Sequence, residues 1–259
     1  MNTLDVNGIR LRYDVQGSGP WVVLCHSLAT DLSLWDDQLA ALADRCTVLR
    51  FDTRGHGGSG APAGPYDFPM LVADVLGLLD ALGVARASFV GISLGGMIGQ
   101  HLALAAPRRL DKLVLASTTH AYPPEAAAQF AERARLVQAQ GMEPLVASTL
   151  ERWFTAPYRA ARPEVMARIG GLIRATPPAG FAGCCGAIAT LDLTARLKDI
   201  RCPTLVIAGR EDPGIPAQRG QEIAAAVPGA RFALIEQAAH LCNVEQAGTF
   251  NRLLRSFLD

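Results

Sequence analysis

The segment Gly91–Gly95, with the sequence GISLG, constrains what this chain can fold into more than any other stretch. The apolar residues 87–90 before it predict a buried strand, and residues 96–105 after it predict a helix. Between a strand and a helix, Gly-x-Ser-x-Gly is typical of a sharp turn that holds a nucleophilic serine above a sheet. Its two glycines lack a Cβ atom, which lets strand and helix approach each other. We therefore predict that Ser93 is a nucleophile, at strained backbone angles and at the positive end of the helix.

Short apolar runs separated by helical patterns predict the fold class. The runs that predict buried parallel strands cover residues 21–25, 47–51, 87–92, 112–116, 204–208 and 231–235. Helical periodicity lies between and after them, at residues 34–43, 70–82, 97–106, 216–227 and 245–258. The alternating residues 9–15 follow Asn7-Gly8, which indicates an antiparallel hairpin at the edge of the sheet. This order predicts an α/β fold with a mostly parallel central sheet and helices on both faces.

One segment breaks the alternation of strands and helices. Between about residues 120 and 197 no strand pattern occurs, and helices are predicted at residues 129–140, 142–153 and 163–175. We expect a core formed by residues 1–119 and 198–259, with residues 120–197 inserted as an all-helical lid over the strand ends. No linker composition marks this lid as an independent domain.

A nucleophilic serine needs a general base, and that base needs an orienting carboxylate. In a chain of this pattern the acid and then the histidine follow later strands. Asp212 comes soon after the strand predicted at residues 204–208, and Glu211 beside it is the alternative acid. His240 lies between the last predicted strand and the last helix. We therefore predict a catalytic triad of Ser93, Asp212 and His240.

The remaining histidines have other predicted roles. His101 falls inside the helix after Ser93, where we expect it to pack, and His56 lies in a glycine-rich loop, where we expect it to bond within the loop. His26 is also expected to hydrogen-bond within its loop, with a substrate contact as the alternative. His120 begins the insertion and is a candidate for lining the substrate pocket.

Attack of a serine on an ester carbonyl creates an oxyanion, which needs backbone N–H donors that face it. The N–H of Leu94, directly after the nucleophile, is the first predicted donor. The second comes from the loop after the strand at residues 21–25, where the sequence is HSLAT. We assign this second donor to Leu28, with Ser27 as its neighbour.

Composition and charge exclude several kinds of partner. The chain has 24 Lys and Arg residues and 24 Asp and Glu residues, so no net charge favours nucleic acid or a membrane surface. No C-x-x-C pair or Cys/His cluster has the spacing of a metal site, and no cofactor is expected. The six cysteines lie mostly in apolar segments, which predicts reduced thiols. Since no signal sequence is recognisable, we expect a cytoplasmic protein and leave a homo-oligomer open.

With these residues placed, the chain resembles the α/β-hydrolases along its full length and, among them, the 3-oxoadipate enol-lactonases of bacterial aromatic catabolism. The matching segments are residues 27–35 (SLATDLSLW), 51–57 (FDTRGHG), 91–97 (GISLGGM), 151–155 (ERWFT), 175–181 (ATPPAGF) and 239–241 (AHL). The chain departs from the usual pattern at His26 and Ala29, where those lactonases have Asn and Gly, and at Leu94, where they have Met. These departures lie beside the predicted oxyanion site.

The resemblance implies a serine hydrolase that opens a carboxylate-bearing enol-lactone with water, through an acyl-enzyme and without a metal or cofactor. The carboxylate of such a substrate needs a cationic partner in an apolar pocket. Candidates in the insertion are Arg133, Arg135, Arg152 and Arg174, with Trp153 as a wall of the pocket.

Alternative functions stay open on the sequence. A carboxylesterase or a lactonase with a neutral substrate needs no cation above Ser93. A hydrolase that cleaves carbon–carbon bonds in ring-cleavage products uses the same triad and lid. A ligand receptor built on a hydrolase scaffold keeps these residues but turns over slowly, and the complete triad favours an enzyme instead.

Overall fold

The computed structural model describes residues 1–259 and contains an eight-stranded sheet. Its strands are β1 (Asn2–Val6), β2 (Ile9–Gln16), β3 (Trp21–Cys25), β4 (Thr47–Phe51), β5 (Ala87–Ile92), β6 (Leu110–Ala116), β7 (Thr204–Gly209) and β8 (Arg231–Ile235). They follow the order β1-β2-β4-β3-β5-β6-β7-β8 across the sheet. The pairs β1–β2 and β2–β4 are antiparallel and every other pair is parallel, so β3 to β8 share one carboxyl edge. The predicted fold class is confirmed.

The two edges of the sheet differ in how well the sequence predicted them. At one edge, Asn7 and Gly8 join β1 and β2 with φ values of 49° and 76°, which Asn and Gly tolerate better than other residues. The predicted hairpin is therefore confirmed. At the other edge, β8 is only partly buried, although its apolar run predicted a strand covered on both faces. Because β8 is the last strand, it has a neighbour on one side only.

Helices outside the insertion pack against the sheet or against one another. They are α1 (Asp36–Leu42), α2 (Phe68–Ala81), α3 (Leu94–Ala105), α9 (Ala217–Ala226), α10 (Cys242–Glu245) and α11 (Ala247–Leu258). The helix predicted at residues 245–258 is divided, because Gln246 leaves the helical conformation with φ −126° and ψ 50°. No helix in the structure combines the length and apolar character needed to cross a membrane.

The insertion between β6 and β7 is helical, as predicted, but it contains five helices instead of three. They are α4 (Pro124–Gln140), α5 (Glu143–Trp153), α6 (Ala156–Ala161), α7 (Pro163–Ala175) and α8 (Pro178–Ala189). The sequence of α8, PAGFAGCCGAIA, has too many small residues for periodicity to reveal a helix. Packing against α4 compensates, and Gly180 lies so close to Gly55 that a side chain there would collide.

Apolar side chains of the sheet and of the insertion form one buried cluster. It includes Val90 of β5 together with Val137 of α4 and Ile188 of α8. Because this cluster is continuous, the insertion shares the core of the sheet.

Candidate active site

Ser93 lies in the turn between β5 and α3, at the carboxyl edge of the sheet. Its φ of 55° and ψ of −116° are unfavourable for a residue with a side chain, so the predicted backbone strain is present. Three hydrogen bonds hold this conformation. The Ser93 N–H donates to the carbonyl of Ala116 at 2.9 Å, and the Ser93 carbonyl accepts from the Thr118 hydroxyl at 2.9 Å and from the Met97 N–H at 3.0 Å.

The glycines on either side of Ser93 are required by close backbone contacts. A Cβ atom at Gly91 would collide with the backbone of Gly95, and one at Gly95 would collide with the carbonyl of Cys25. Because α3 begins at Leu94, the unpaired N–H groups of its first turn lie next to the serine. The turn therefore places the free backbone N–H groups at the start of α3 next to Ser93.

Asp212 and His240 meet at the ends of the neighbouring strands β7 and β8. His240 Nδ1 donates to Asp212 Oδ2 at 2.7 Å, and Asp212 Oδ1 accepts from the N–H groups of Gly214 and Ile215, each at 2.9 Å. The Asp212 side chain is 0 % exposed, so these donors replace the water that its carboxylate has lost. With Nδ1 protonated toward Asp212, Nε2 of His240 is free to accept a proton.

The alternative acid, Glu211, is not at the histidine. Its side chain is exposed, and its backbone N–H donates to the carbonyl of Ala238 at 2.9 Å. Trp153 covers the imidazole of His240 instead, with 6.2 Å between ring centroids and 23° between the ring planes. The structure therefore brings together Asp212, His240 and Trp153 and leaves Glu211 in solvent.

Ser93, Asp212 and His240 line one cavity of about 300 Å³. Residues of the loop after β3 line it from the core, and apolar residues of the insertion, including Phe130, Trp153 and Phe181, line it from above. A space of this size holds a small molecule, not a polymer. It is the place where a substrate would meet the serine.

The loop after β3 presents a free N–H to this cavity. The carbonyl of Ser27 accepts from Thr30 Oγ1 at 2.8 Å and lies 2.7 Å from His26 Nδ1. In a trans peptide the carbonyl and the following N–H point in opposite directions, so the N–H of Leu28 points away from these partners. It has no acceptor in the protein, and Leu28 lines the cavity. This geometry supports the predicted oxyanion donors Leu28 and Leu94.

Two neutral histidines lie behind that loop. His56 Nε2 accepts from the Ala29 N–H at 3.0 Å, and His26 Nε2 accepts from the Thr53 N–H at 2.9 Å. Burial lowers the pKa of His26, and it lowers the pKa of His56 to about 3. These two bonds join the loops to each other, and each histidine also contacts its own loop as predicted, His26 Nδ1 the carbonyl of Ser27 at 2.7 Å and His56 Nδ1 that of Arg54 at 3.2 Å. Neither side chain lines the cavity. His101 packs as predicted, stacked on Phe68 at 4.0 Å.

Two arginines of the insertion, Arg133 and Arg152, line the same cavity. Neither forms an ion pair with a carboxylate, and the hydrogen bond of Arg152 goes to the Thr149 hydroxyl at 3.2 Å. Burial, together with the nearby charge of Arg133, lowers the pKa of the Arg152 guanidinium. Two cations without an acidic partner make this wall of the cavity attractive to an anion.

Comparison with known proteins identifies the family of the chain. Residues 20–247 match the alpha/beta hydrolase fold family. The chain belongs to this family. The hydrolase is 37% identical to 3-oxoadipate enol-lactonase 2 of Acinetobacter baylyi, over 99% of this chain and 96% of that protein. It is 32% identical, over 96% of both chains, to a protein of Stutzerimonas stutzeri with the provisional name carbamate hydrolase RutD.

A solved structure gives the same result. The crystal structure of the enol-lactonase from Burkholderia xenovorans LB400 matches this hydrolase with a TM-score of 0.95 and 41% sequence identity, covering 99% of both chains. The chain is therefore an enzyme of the hydrolase class, and it resembles the enol-lactonases in sequence and in structure.

Other residues predicted to bind substrate lie outside the cavity of the hydrolase. Arg135 is exposed, because it lies two residues after Arg133 and therefore on nearly the opposite side of α4. Arg174 is also exposed and pairs with Glu143 at 2.6 Å. His120 is buried without lining the cavity, and burial lowers its pKa. None of these three candidates therefore reaches the cavity that Ser93 lines.

Sequence reasoning missed one residue that supports the site. Glu245 is 6 % exposed, and its carboxylate accepts from the Ala239 N–H and from Thr155 of the insertion. The residue fell inside a predicted helix, where a glutamate is ordinarily solvated. No local pattern distinguishes it from such a residue.

Proposed function

We propose that this hydrolase opens 3-oxoadipate enol-lactone with water to give 3-oxoadipate, with Ser93, Asp212 and His240 as its triad. The observation that carries the proposal is that the guanidinium groups of Arg133 and Arg152, which form no ion pair with a carboxylate, line the cavity that Ser93 lines. A lactone with a free carboxylate would present its carbonyl to the serine and its carboxylate to these cations. The likeness to the Acinetobacter and Burkholderia enol-lactonases supports the same substrate.

The first half of the reaction forms an acyl-enzyme. His240 Nε2 removes the proton of Ser93 Oγ as that oxygen attacks the lactone carbonyl, and Asp212 stabilises the imidazolium that results. The carbonyl oxygen becomes an oxyanion, which accepts hydrogen bonds from the N–H groups of Leu28 and Leu94. When the intermediate collapses, the bond to the ring oxygen breaks and His240 returns a proton to that oxygen. The product is an ester of Ser93 with an enol at its far end.

The second half of the reaction releases the product. The enol stays attached to the acyl group and could close the ring again. Its conversion to the ketone removes this internal nucleophile, so the ring-opened ester persists. His240 then takes a proton from a water molecule as that water attacks the ester carbonyl. When the bond to Ser93 Oγ breaks, His240 returns the proton to Ser93 Oγ, and the product leaves as a carboxylic acid that ionises in water.

The cationic wall favours this substrate over the alternatives. A neutral ester gains nothing from Arg133 and Arg152, whose mutual repulsion an anion would reduce. A carbon–carbon hydrolase of ring-cleavage products also takes an anionic substrate, so the cations do not exclude it. A receptor has no need for a serine at strained backbone angles. It also has no need for a histidine that is paired with a buried carboxylate on the same cavity.

Steady-state kinetics on two substrates tests the proposal. Wild type is expected to prefer 3-oxoadipate enol-lactone over p-nitrophenyl acetate in kcat/KM, and Ser93→Ala to lose both activities. Arg133→Gln and Arg152→Gln are each expected to raise KM for the lactone about tenfold, because a charge-assisted hydrogen bond is lost. Their KM for the neutral ester should stay the same.

Matched controls come from the arginines outside the cavity. Arg135→Gln lies on the same helix as Arg133 but in solvent, so its KM for the lactone should equal that of wild type. Equal or better turnover of the neutral ester by wild type would contradict the proposed substrate. Faster turnover of a ring-cleavage dienoate would assign the enzyme to carbon–carbon bond hydrolysis instead.

A further inference from the structure

The hydroxyl of Ser27, a residue on the same cavity as Ser93, is buried and has no hydrogen-bond partner. Ser27 is 1 % exposed and lines the cavity together with Ser93 and His240. Its Oγ atom makes no hydrogen bond to any other group of the protein. Buried hydroxyl groups are almost always hydrogen-bonded, because leaving them unpaired is costly. A hydrogen-bond acceptor on a bound substrate would supply the partner that the Ser27 hydroxyl lacks within the protein.

Few other buried polar side-chain atoms lack a hydrogen bond, and they lie elsewhere. They are Arg12 Nε, which forms an ion pair with Asp52, and Trp35 Nε1, Gln100 Oε1, His120 Nδ1 and Asn243 Oδ1. None of these residues lines the cavity above Ser93. An unpaired hydroxyl at the substrate cavity is therefore a particular property of Ser27.

The backbone of Ser27 is fixed, so its hydroxyl is presented from a rigid loop. The Ser27 carbonyl accepts from Thr30 Oγ1 at 2.8 Å and from the Thr30 N–H at 3.3 Å, and His26 Nδ1 lies 2.7 Å from it. All these contacts use the carbonyl, which leaves the hydroxyl free to rotate. The adjacent N–H of Leu28 has no acceptor in the protein either. Two free donors therefore follow each other in this loop.

We propose that the Ser27 hydroxyl donates a third hydrogen bond to the oxyanion, beside the N–H groups of Leu28 and Leu94. The inference rests on the proposed role of Ser93 as nucleophile, but it does not depend on which ester is the natural substrate. Full negative charge is present on the carbonyl oxygen only in the tetrahedral intermediate. A donor aimed at that charge stabilises the transition state more than bound substrate, so it acts on kcat more than on KM.

Replacement of the hydroxyl separates this role from a structural one. Ser27→Ala is expected to lower kcat about 100-fold, with KM within twofold of wild type, on both the enol-lactone and p-nitrophenyl acetate. Ser27→Thr keeps a hydroxyl group and should recover most of the lost kcat. The shape of the pH profile should not change, because Ser27 does not titrate in the working range.

Ser117→Ala is the matched control. Ser117 is 2 % exposed, at the end of β6, and its hydroxyl contacts Cys242 Sγ at 3.5 Å without lining the cavity. Its kcat should stay at the wild-type value. Phenylboronic acid, which forms a tetrahedral adduct with a reactive serine, gives a second readout. Its affinity should fall in Ser27→Ala and stay unchanged in Ser117→Ala.

The outcomes are separable. A folded Ser27→Ala enzyme with wild-type kcat, or with only a raised KM, would overturn the inference. If Ser27→Ala fails to fold, Ser27→Cys keeps the size of the side chain with a weaker donor, and its kcat decides in the same way. If wild type turns over the ester but not the lactone, the proposed substrate fails while the ester kinetics still test Ser27.

Discussion

The carboxylate of Glu245 accepts a hydrogen bond from the N–H of Ala239 at 2.8 Å, one residue before His240. Its other oxygen accepts from the N–H and the hydroxyl of Thr155, at 3.0 Å and 2.5 Å. Thr155 lies two residues after Trp153, which stacks on the imidazole. A single buried side chain therefore joins the loop that carries the histidine to the segment of the insertion that covers it.

Loss of this link is expected to reduce both stability and turnover. Glu245→Ala leaves one buried donor, the Ala239 N–H, and two half-buried donors of Thr155 without an acceptor and should lower the free energy of unfolding by about 2–3 kcal/mol. It should also lower kcat about tenfold, because the imidazole is held less firmly. Urea denaturation and initial rates measure the two effects. The control is Glu236→Ala, which removes an exposed partner of Arg210 and should cost less than about 0.5 kcal/mol. Equal losses in the two variants would contradict this role for Glu245.

Asp212→Asn tests the orientation of the histidine. The amide can donate toward Nδ1, which favours the tautomer with its proton on Nε2, and that tautomer does not accept the proton of Ser93. We expect kcat to fall about 10⁴-fold with little change in KM. Glu211→Gln, at the exposed neighbouring position, should have wild-type kcat. A similar loss in Glu211→Gln would show that the acid has been assigned to the wrong residue.

Ala29 has an unfavourable backbone conformation, with φ of 61°. Glycine, which the resembled enol-lactonases have at this point, adopts positive φ without steric cost. Ala29→Gly is therefore expected to raise the free energy of unfolding by about 0.5–1 kcal/mol, after the larger entropy of glycine in the unfolded chain is subtracted. The same substitution at Ala131, which is exposed in α4, should lower it by about 1 kcal/mol. Denaturation curves of the two variants should move in opposite directions, and a decrease in both would contradict the argument.

The sequence predicted those parts of the molecule that local patterns determine. Apolar runs located the strands of the sheet, and Gly-x-Ser-x-Gly located Ser93, because each depends on residues that are neighbours in the chain. The order of strands along the carboxyl edge then placed Asp212 and His240 in the loops that follow two adjacent strands, β7 and β8. Their pairing follows from the topology, which the alternation of strands and helices already indicates.

Features that depend on packing between distant segments were not predictable in this way. Helix α8 has no apolar periodicity, so neither the helix nor its contact with α4 was foreseen. That contact helps to fix the face of α4 that points inward. Arg133 lies on a face that lines the cavity, and Arg135 does not. The unpaired hydroxyl of Ser27 also depends on the way its loop folds. The identity of a residue does not show whether its side chain will find a hydrogen-bond partner in the folded protein.

The buried histidines behind the oxyanion loop predict how stability depends on pH. Burial lowers the pKa of His56 from 6.5 to about 3 and also lowers the pKa of His26. Below pH 6.5 the unfolded chain therefore binds protons that the folded protein does not. The stability contributed by neutral His56 is complete above pH 6.5 and is lost as the pH falls toward 3, by up to about 1.4 kcal/mol per pH unit. Burial raises the pKa of the nearby Asp52, whose titration acts in the opposite sense.

A substitution at His56 distinguishes the effect of this histidine on the pH dependence of stability from the effect of Asp52. His56→Gln keeps an acceptor, Oε1, at about the reach of Nε2 for the Ala29 N–H and removes one titrating group, while Asp52 stays in place. Urea denaturation at pH 7, 6 and 5 should show wild type losing more stability than His56→Gln over this range. The difference in free energy of unfolding between the two proteins should shrink by about 2 kcal/mol between pH 7 and pH 5. Parallel pH dependences would mean that His56 takes up a proton in the folded state and gives up the hydrogen bond that Nε2 accepts from Ala29.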